Sequence, residues 1–314
     1  MALEVKALTK KYGSTMAVDD VTFAIEPGEI FGYLGPNGSG KTTTIRCIMG
    51  LLRPTKGQTC VLGARVRHGR ATEHARIGYL PGDFHLWGFP RGRRSLRVLA
   101  SLGGRDTSRQ RREELAARLG LDLNRRVGEL SKGNRQKVGV LFAFQHQPEV
   151  LILDEPTSGL DPLLRQVVLE LIREAADAGA AVLLSSHDLS EVSAVCGRAG
   201  ILREGRLVEL APIASILQQG RHRLKVWFAD STLAPPVPTD HLAGVELLER
   251  RPGLLDLAFH GPADPILKWL AQFPVDRVTT PQTSLEEAFM QYYQLDSDPV
   301  GPDRHAGQRK GGQA

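Results

Sequence analysis

Two short segments of this chain combine residue types that can bind phosphate groups or take part in their hydrolysis. The first of them is rich in glycine. It ends in a lysine and two threonines: Gly35, Pro36, Asn37, Gly38, Ser39, Gly40, Lys41, Thr42 and Thr43. Residues 35–42 fit the pattern G-x-x-x-x-G-K-[ST] and lie between a predicted strand and a predicted helix. Backbone N–H groups of such a loop surround phosphate oxygens, while the helix N-terminus and the lysine add positive charge. The segment therefore predicts a binding site for a nucleoside triphosphate.

The second segment is an apolar run, residues 150–153, followed at once by the carboxylates of Asp154 and Glu155. Burying acids without partners is costly in free energy. Mg²⁺ held by Asp154 and Thr42 would offset that cost, and Glu155 could then orient or deprotonate a water that attacks the γ-phosphate. Either acid alone could instead cap a helix that begins at Pro156. Because the phosphate-binding pattern precedes them, we interpret the two acids as a hydrolytic site.

Strand and helix patterns alternate around these two segments. Strands are predicted over residues 3–8, 21–25, 29–34, 58–62, 76–80, 150–153 and 181–184. Helices are predicted over residues 41–49, 162–180 and 189–196, and a helical insertion without strands over residues 91–127. Strands that alternate with helices form parallel sheets covered on both faces. The expected fold class is therefore α/β, with a helical insertion between two sheet-forming halves.

The pattern changes beyond residue 220. Strands over residues 224–228, 245–249, 254–259 and near Arg277, with helices over residues 265–272 and 285–293, predict a small α+β domain. The last residues are rich in Asp, Pro, Gly and Gln, which predicts a flexible tail. We therefore expect a first domain over residues 1–215, an accessory domain over residues 220–295 and a tail over residues 296–314.

Composition restricts the class of protein and its compartment. The chain has 314 residues, of which 41% are hydrophobic and 24% charged, and these values are typical of globular proteins. No run approaches the roughly 18 apolar residues that cross a bilayer, and the N-terminus lacks a secretion signal, which predicts a cytoplasmic protein. Cys47, Cys60 and Cys196 lack metal-ligand spacing, and we interpret them as small apolar residues in a reducing compartment.

The chain carries a formal net charge of +5, which permits nucleotides, membrane surfaces or nucleic acid as partners without selecting one. The basic residues are densest at Arg91, Arg93, Arg94, Arg97, Arg105, Arg109, Arg111 and Arg112. We interpret this run as a solvated helical face in preference to a nucleic-acid surface.

Further motifs carry a resemblance to a known family. Leu130-Ser131-Lys132-Gly133-Asn134 resembles the signature sequence of ATP-binding cassette proteins, and residues 158–161, which end in Asp161, resemble the family's D-loop. Residues 185–188, which include His187, resemble its switch-histidine loop, and Tyr12 stands where the family has the aromatic residue that stacks on adenine. Five motifs in the family's order cover residues 1 to about 210.

The resemblance implies a P-loop NTPase fold of the RecA-like type. Its parallel sheet core would carry an N-terminal antiparallel β subdomain and a helical subdomain at about residues 88–147. It also implies ATP and Mg²⁺ as cofactors, with ATP bound between two copies of the chain in a head-to-tail dimer. Ser131 and Gly133 of one copy would contact the γ-phosphate held by the other, and Asp161 would also take part in nucleotide binding. His187 would contact the γ-phosphate and hold the attacking water together with Glu155.

The signature can also be interpreted from its own residues. Ser131 is the expected N-cap of a helix running to Gln147, so its hydroxyl, the Gly133 N–H and the helix dipole all favour an anion. His187, by contrast, could be no more than a helix cap.

Two positions depart from the family pattern. The strand over residues 76–80 normally leads to a glutamine that senses magnesium and water, but here Gly82 stands at that position and Asp83 follows it. Asp83 could substitute through a bridging water, or the loop could couple differently. The signature has Lys132 and Asn134 in place of the usual glycine and glutamine, a variant similar to the drug-export and antibiotic-resistance branch, where such cassettes pair with separate permeases.

That branch implies an exporter motor attached through a transmembrane permease to the cytoplasmic face of the membrane. An apolar cluster of Phe84, Leu86, Trp87 and Phe89 could receive a permease helix, or could pack inside the cassette. Residues 284–289 resemble the closing helix of the branch's C-terminal domain, although an ordinary amphipathic helix explains them equally well. The alternative function is a soluble cassette acting on nucleic acid or the ribosome. It is disfavoured because such proteins usually carry two cassettes or a long coiled coil.

Overall fold

The structure is a computed structural model that describes residues 1–69, 74–84, 109–126, 130–219, 222–233, 235–237, 244–259 and 262–280. The chain divides into two compact units, Met1–Ser215 and Ile216–Ala314. The domain limits expected from the sequence, including the helical subdomain at about residues 88–147, stay predictions.

The first unit begins with a four-stranded antiparallel sheet. Its strands are β1 (Leu3–Tyr12), β2 (Thr15–Ile25), β4 (Lys56–Val61) and β5 (Ala64–Arg65), in the order β2-β1-β4-β5. The predicted strands over residues 3–8 and 21–25 are too short, because the polar ends of β1 and β2 also pair, with Tyr12 opposite Thr15. Gly13, at φ +58°, closes this hairpin.

The second sheet of this unit contains six strands in the order β10-β9-β3-β8-β7-β6. They are β3 (Ile30–Leu34), β6 (Ile77–Leu80), β7 (Val150–Asp154), β8 (Ala181–Ser186), β9 (Arg198–Arg203) and β10 (Arg206–Pro212). All neighbours pair in parallel except β9 and β10. Every residue of β7 and β8 is buried, as expected for strands covered on both faces. The α/β fold predicted from the sequence is confirmed.

Helices of the first unit connect these strands. They are α1 (Lys41–Ile48), α2 (Arg109–Arg118), α3 (Lys132–Phe144), α4 (Pro162–Asp177) and α5 (Leu189–Val195). A further helix, α6 (Ile213–Gln219), begins in the first unit and ends in the second. The helix after Ser131 is shorter than predicted, because it ends before Gln147, whose φ is +47°. Among the residues that the structure describes, none of the helices has the length and apolar character that crossing a bilayer requires.

A hydrophobic core shared by both sheets and α1 holds the first unit together. Phe23 of β2 stacks on Phe31 of β3 with ring centroids 5.1 Å apart. The ring centroid of Tyr33 lies 5.3 Å from that of Phe23, and all three residues belong to this core. Burial raises the pKa of the Cys47 thiol to about 11, and Cys47 and Cys196 are both buried. These two cysteines thus serve as small apolar residues, as predicted, while Cys60 is half-buried.

Strands β5, β9 and β10 and helix α6 were not among the predicted elements. The apolar content of β9 is limited to its four central residues, which arginines flank, and β10 alternates exposed with half-buried residues. The run in β9 includes Ala199 and Gly200, which have low β propensity, and β10 has no continuous apolar run. Helix α2 lies inside the predicted helical insertion, but residues 119–126 form turns and irregular structure instead of helix. Residues 91–108 and 127 of the insertion lie outside the described residues.

The second unit contains a four-stranded antiparallel sheet and one described helix. The elements are β11 (His222–Phe228), β12 (Val245–Arg251), β13 (Leu254–Phe259), α7 (Asp264–Leu270) and β14 (Val275–Thr279), with the strand order β12-β13-β11-β14. Its separate core includes Leu224, Val226, Leu255 and Ile266. The helix predicted over residues 285–293 and the tail predicted over residues 296–314 lie outside the described residues.

Candidate active site

The loop between β3 and α1 approaches its neighbours too closely for side chains at two of its glycines. A Cβ atom at Gly35 would lie 2.4 Å from the Leu202 carbonyl oxygen, and one at Gly40 would lie 2.4 Å from the Ala17 carbonyl oxygen. Gly40 also has φ +107°, a conformation that favours glycine. The loop therefore packs closely against neighbouring backbone at Gly35 and Gly40. Its tip, formed by Pro36, Asn37 and Gly38, is exposed.

The interior of this loop holds polar groups suited to an anion. Ser39 is buried, and its hydroxyl has no hydrogen-bond partner within the described part of the chain. Helix α1 begins at Lys41 without a side-chain cap and without an acidic residue in its first turn. Its first N–H groups and the positive end of its dipole therefore face the loop, which suits a phosphate group.

Lys41 is the buried cation of the loop. Its Nζ donates hydrogen bonds to the carbonyl oxygens of Gly35 at 2.5 Å and Pro36 at 3.1 Å. Burial lowers the pKa of Lys41, while the charges of Glu155 and Asp154 partly oppose that change. The ammonium group is thus held at the loop by backbone oxygens and lies within the field of both carboxylates.

Asp154 ends the buried strand β7 and is fully desolvated, with 1% of the residue exposed. Thr42 Oγ1 donates to its Oδ2 at 2.9 Å, and Ser185 Oγ donates to its Oδ1 at 2.5 Å. No cluster of three or more His, Cys, Asp or Glu side chains able to hold a metal occurs among the described residues. A Mg²⁺ ion fits this site nevertheless, because Mg²⁺ on a nucleotide takes one or two protein oxygens and completes its shell with phosphate oxygens and water.

Glu155 sits in a turn with a left-handed backbone conformation, at φ +53°. Its N–H donates to the Ser185 carbonyl oxygen at 3.0 Å, and its own carbonyl oxygen accepts from the Ser158 N–H at 3.2 Å. The alternative that these acids cap a helix beginning at Pro156 is wrong, because the chain turns here and α4 begins only at Pro162. The turn brings the Glu155 side chain to the loop after β8.

His187 in that loop contacts Glu155 directly, through a hydrogen bond between His187 Nδ1 and Glu155 Oε2. A carboxylate can only accept, so Nδ1 carries the hydrogen in this contact. The alternative of a helix cap is wrong for His187, since Asp188 is the N-cap of α5 and accepts from the Ser190 N–H at 3.1 Å. The site therefore joins a base and an imidazole that the chain separates by a helix and a strand.

A second polar network lies behind this contact and was missed by the sequence analysis. Glu191 Oε2 accepts hydrogen bonds from Thr157 Oγ1 at 2.7 Å and from Ser186 Oγ at 3.1 Å. Ser186 Oγ in turn accepts from the Asp188 N–H at 2.9 Å. The carboxylate of Glu191 thus ties the loop after β7 to the loop after β8. An acid in the first turn of an expected helix was the available signal, but it equally indicates an ordinary helix start.

The signature segment begins helix α3 as predicted, with Ser131 as the N-cap and its hydroxyl accepting from the Asn134 N–H at 3.3 Å. A Cβ atom at Gly133 would lie 2.9 Å from the Gly159 carbonyl oxygen. Close packing of α3 on the D-loop therefore requires glycine at position 133. Asp161 is the N-cap of α4, where its side chain accepts from the Leu164 N–H at 3.0 Å. The nucleotide contacts expected of Ser131, Gly133 and Asp161 stay predictions.

Tyr12 lies at the end of β1 with 46% of the residue exposed, and Lys10 Nζ lies 5.1 Å from its ring centroid. The ring is therefore accessible, as stacking on a base would require. The same hairpin reaches the phosphate loop, because the Ala17 carbonyl adjoins Gly40. Stacking of Tyr12 on adenine stays a prediction, as does a nucleotide contact by the half-buried Thr43.

Gly82, at the position of the family's glutamine, adjoins the metal-binding candidate Asp154. A Cβ atom there would lie 3.3 Å from Asp154 Oδ2. Asp83 is exposed, and its substitution for the glutamine stays a prediction. Phe84 packs on α3, where a Cβ atom at Gly139 would come within 2.9 Å of its ring. This contact favours internal packing for Phe84, while Leu86, Trp87 and Phe89 lie outside the described residues.

A glycine-rich loop, a buried lysine and two carboxylates at the end of the parallel strand β7 together define a P-loop nucleoside triphosphatase. A family model described as ABC transporter matches residues 18–158. Bacitracin transport ATP-binding protein BcrA of Bacillus licheniformis is 31% identical over 292 residues, which are 90% of this chain and 94% of the relative. The chain therefore belongs to the ABC transporter ATP-binding proteins, a family of ATPases.

Two further likenesses agree with that assignment. Nod factor export ATP-binding protein I of Paraburkholderia xenovorans is 34% identical over 257 residues, which are 78% of this chain and 84% of the relative. A solved structure described as the ATP binding subunit of an ABC transporter is 34% identical, with a TM-score of 0.65, and covers 70% of this chain and 93% of its own.

Proposed function

We propose that this ATPase is the motor subunit of an exporter, which binds MgATP, pairs with a second copy of itself and drives a separate transmembrane permease. The observation that carries the proposal is the contact between Glu155 and His187. Glu155 directly follows Asp154, whose carboxylate accepts a hydrogen bond from Thr42. A nucleotide-binding module without turnover would have no need of this pair.

In the proposed site, Thr42 and Asp154 hold Mg²⁺, which would neutralise charge on the phosphate oxygens. Ser185 fixes the Asp154 carboxylate through its 2.5 Å hydrogen bond. Lys41 and the free N–H groups at the start of α1 bind the β- and γ-phosphates. Lys41, Thr42 and Asp154 are already oriented by hydrogen bonds within the chain, so little ordering of these side chains is needed when the nucleotide binds.

Hydrolysis depends on the carboxylate of Glu155 and the imidazole of His187. Glu155 orients the attacking water and accepts its proton, and His187 keeps the carboxylate aligned through Nδ1. Its Nε2 is then the ring atom available to the γ-phosphate. The side chain of His187 is 64% exposed, whereas that of Glu155 is 19% exposed, which suits a histidine that must reach a ligand.

The proposed dimer pairs the signature of one copy with the phosphate loop of the other. Ser131 is exposed at the N-terminus of α3, which supports its contact with an anion outside its own chain. Leu163, beside Asp161 at the start of α4, is 77% exposed, and such a large apolar side chain is suited to burial by a second copy.

The role in export is supported by the relatives named for bacitracin transport and Nod factor export. The motor would lie at the cytoplasmic face of the membrane, held there by its permease. Specificity for the cargo would belong to that permease, as the resemblance to the family implies.

The test uses the Glu155→Gln protein, with Lys41→Ala added to the same chain as the control that cannot bind nucleotide. Light scattering with MgATP is expected to detect a dimer of Glu155→Gln and a monomer of the double variant. Affinity purification from the native membranes, after nuclease treatment, is expected to recover one polytopic membrane protein. A Glu155→Gln protein that stays monomeric with ATP bound would overturn the dimer, and recovery of ribosomes without a membrane protein would favour the nucleic-acid alternative.

A further inference from the structure

Helix α3 touches the turn that carries Glu155 at a point beyond the signature segment, residues 130–134. Gln136 lies one turn into the helix, and only 7% of it is exposed. Its Nε2 donates to the carbonyl oxygens of both Glu155 and Pro156, each at 3.0 Å. A side-chain amide nitrogen has two N–H donors, so this one group is fully used on two consecutive peptide units.

These two carbonyls belong to the left-handed turn described above. An uncommon backbone conformation persists only where the surroundings fix it. Here the Glu155 N–H is bonded to Ser185, the Glu155 carbonyl oxygen is bonded to Ser158, and Gln136 supplies the contact from outside β7, β8 and their loops. The direction in which the Glu155 side chain leaves the backbone therefore depends on the position of Gln136.

The same helix meets the following loop at Gly133, whose Cβ position adjoins the Gly159 carbonyl oxygen. Farther along, α3 packs through Gly139 against Leu80 of β6 and against Phe84. The later part of the helix is thus held by apolar contacts with the sheet, while its first turns bear on residues 155–159. A shift of the signature end would act first on the turn that holds Glu155.

We propose that Gln136 is a positioning residue, which sets the Glu155 carboxylate according to the position of the signature helix. This inference rests on the proposed function, in which Ser131 and Gly133 bind the nucleotide of the second copy. When the signature of one copy binds the nucleotide of the second copy, Gln136 would align Glu155, which acts on the nucleotide of its own copy. Each copy would then hydrolyse its ATP only when both nucleotides are bound between the two copies.

The test compares Gln136→Met, which keeps length and lacks donors, with Gln136→His, which returns one N–H at a similar distance. Lys137→Met, at the next position of the same helix, is the matched control. Gln136→Met is expected to lower kcat roughly 10- to 100-fold, the loss that a small misplacement of a catalytic group causes. The KM for ATP and ATP-driven dimer formation should stay within about threefold of wild type. Gln136→His should recover part of kcat, and Lys137→Met should match wild type.

A double-mutant cycle with Glu155→Gln keeps the proposal testable even if Gln136→Met is less stable. If Gln136 acts only through Glu155, adding Gln136→Met to Glu155→Gln should cause little further loss of the residual turnover. Additive losses would overturn the proposal, and so would unchanged kcat or a KM and dimer defect as large as the kcat defect. Failure of Glu155→Gln alone to dimerise would count against the proposed dimer instead, since the kcat comparison does not depend on that result.

Discussion

Thr42 and Asp154 are 112 residues apart in the sequence, yet Thr42 Oγ1 donates a 2.9 Å hydrogen bond to Asp154 Oδ2. One residue belongs to the first turn of a helix and the other to the end of a buried strand. Because the carboxyl ends of parallel strands meet at one edge of a sheet, β3 and β7 deliver the phosphate loop and the carboxylate to the same place. The chemistry proposed for this chain depends on that meeting point.

Replacing Thr42 tests the metal site most directly. Thr42→Ala removes one oxygen ligand and leaves a buried carboxylate oxygen without its donor, so we expect a higher Mg²⁺ requirement and at least tenfold lower ATPase activity. Thr42→Ser keeps the hydroxyl and should retain most of the activity. The measurement is ATP hydrolysis as a function of Mg²⁺ concentration, and an identical Mg²⁺ dependence in Thr42→Ala would count against this role.

Glu155→Gln separates nucleotide binding from hydrolysis. The amide keeps the size and the hydrogen-bonding oxygen of the side chain, but it cannot accept a proton, so turnover should fall by roughly 100-fold or more. Binding of a fluorescent ATP analogue should remain near the wild-type value, because Lys41 and the loop are unchanged. Hydrolysis at the wild-type rate would remove Glu155 from the mechanism.

Gly133→Ala probes the packing of the signature helix on the D-loop. The added methyl group would lie 2.9 Å from the Gly159 carbonyl oxygen, so we expect a loss of about 1–3 kcal/mol in the free energy of unfolding and lower ATPase activity. Gly197→Ala is the matched control, since a Cβ atom there meets nothing within 4 Å. Equal stabilities of the two variants in urea unfolding would contradict this explanation of Gly133.

The pKa of the Glu191 carboxyl is raised above its ordinary value of 4.5, chiefly because burial disfavours its charged form. Asp188 adds to this increase, while the hydrogen bonds from Thr157 and Ser186 and the charge of Arg165 oppose it. The folded protein therefore keeps the Glu191 proton to a higher pH than the unfolded chain does. Stability from this group is present below pH 4.5 and is lost as pH rises through the raised folded pKa.

Glu191→Gln tests that assignment because glutamine keeps an acceptor for both hydroxyls and does not titrate. Relative to Glu191→Gln, wild type should lose stability as pH rises above 4.5, with a slope of at most about 1.4 kcal/mol per pH unit. Urea unfolding of both proteins across this range gives the difference. A difference that is constant with pH, or that grows in favour of wild type, would contradict a raised pKa.

The residues that could be predicted from the sequence are those whose roles are encoded locally. Residues 35–42 and the run that ends in Asp154 and Glu155 each combine an element boundary with the side chains that act there, so a linear pattern is sufficient to find them. The N-cap role of Ser131 was predictable for the same reason, since capping involves residues only a few positions apart.

The residues that were missed act through contacts between distant elements. Gln136 looks like any polar residue in a helix until α3 is packed on the turn after β7, and Ser185 looks like part of a buried strand until Asp154 lies opposite it in register. Strand β9 was missed because its apolar run contains Ala199 and Gly200, which have low β propensity, and β10 because it lacks such a run. Both are placed by pairing with a neighbouring strand. Such features depend on the assembled fold and have no local sequence signal.

Every residue to which we give a role in nucleotide chemistry lies in the first compact unit, and the second unit has a core of its own. There the buried Asp256 is bonded to Arg223 through both carboxylate oxygens, at 2.8 and 2.6 Å. A substitution in the core of one unit therefore removes no packing contact from the core of the other.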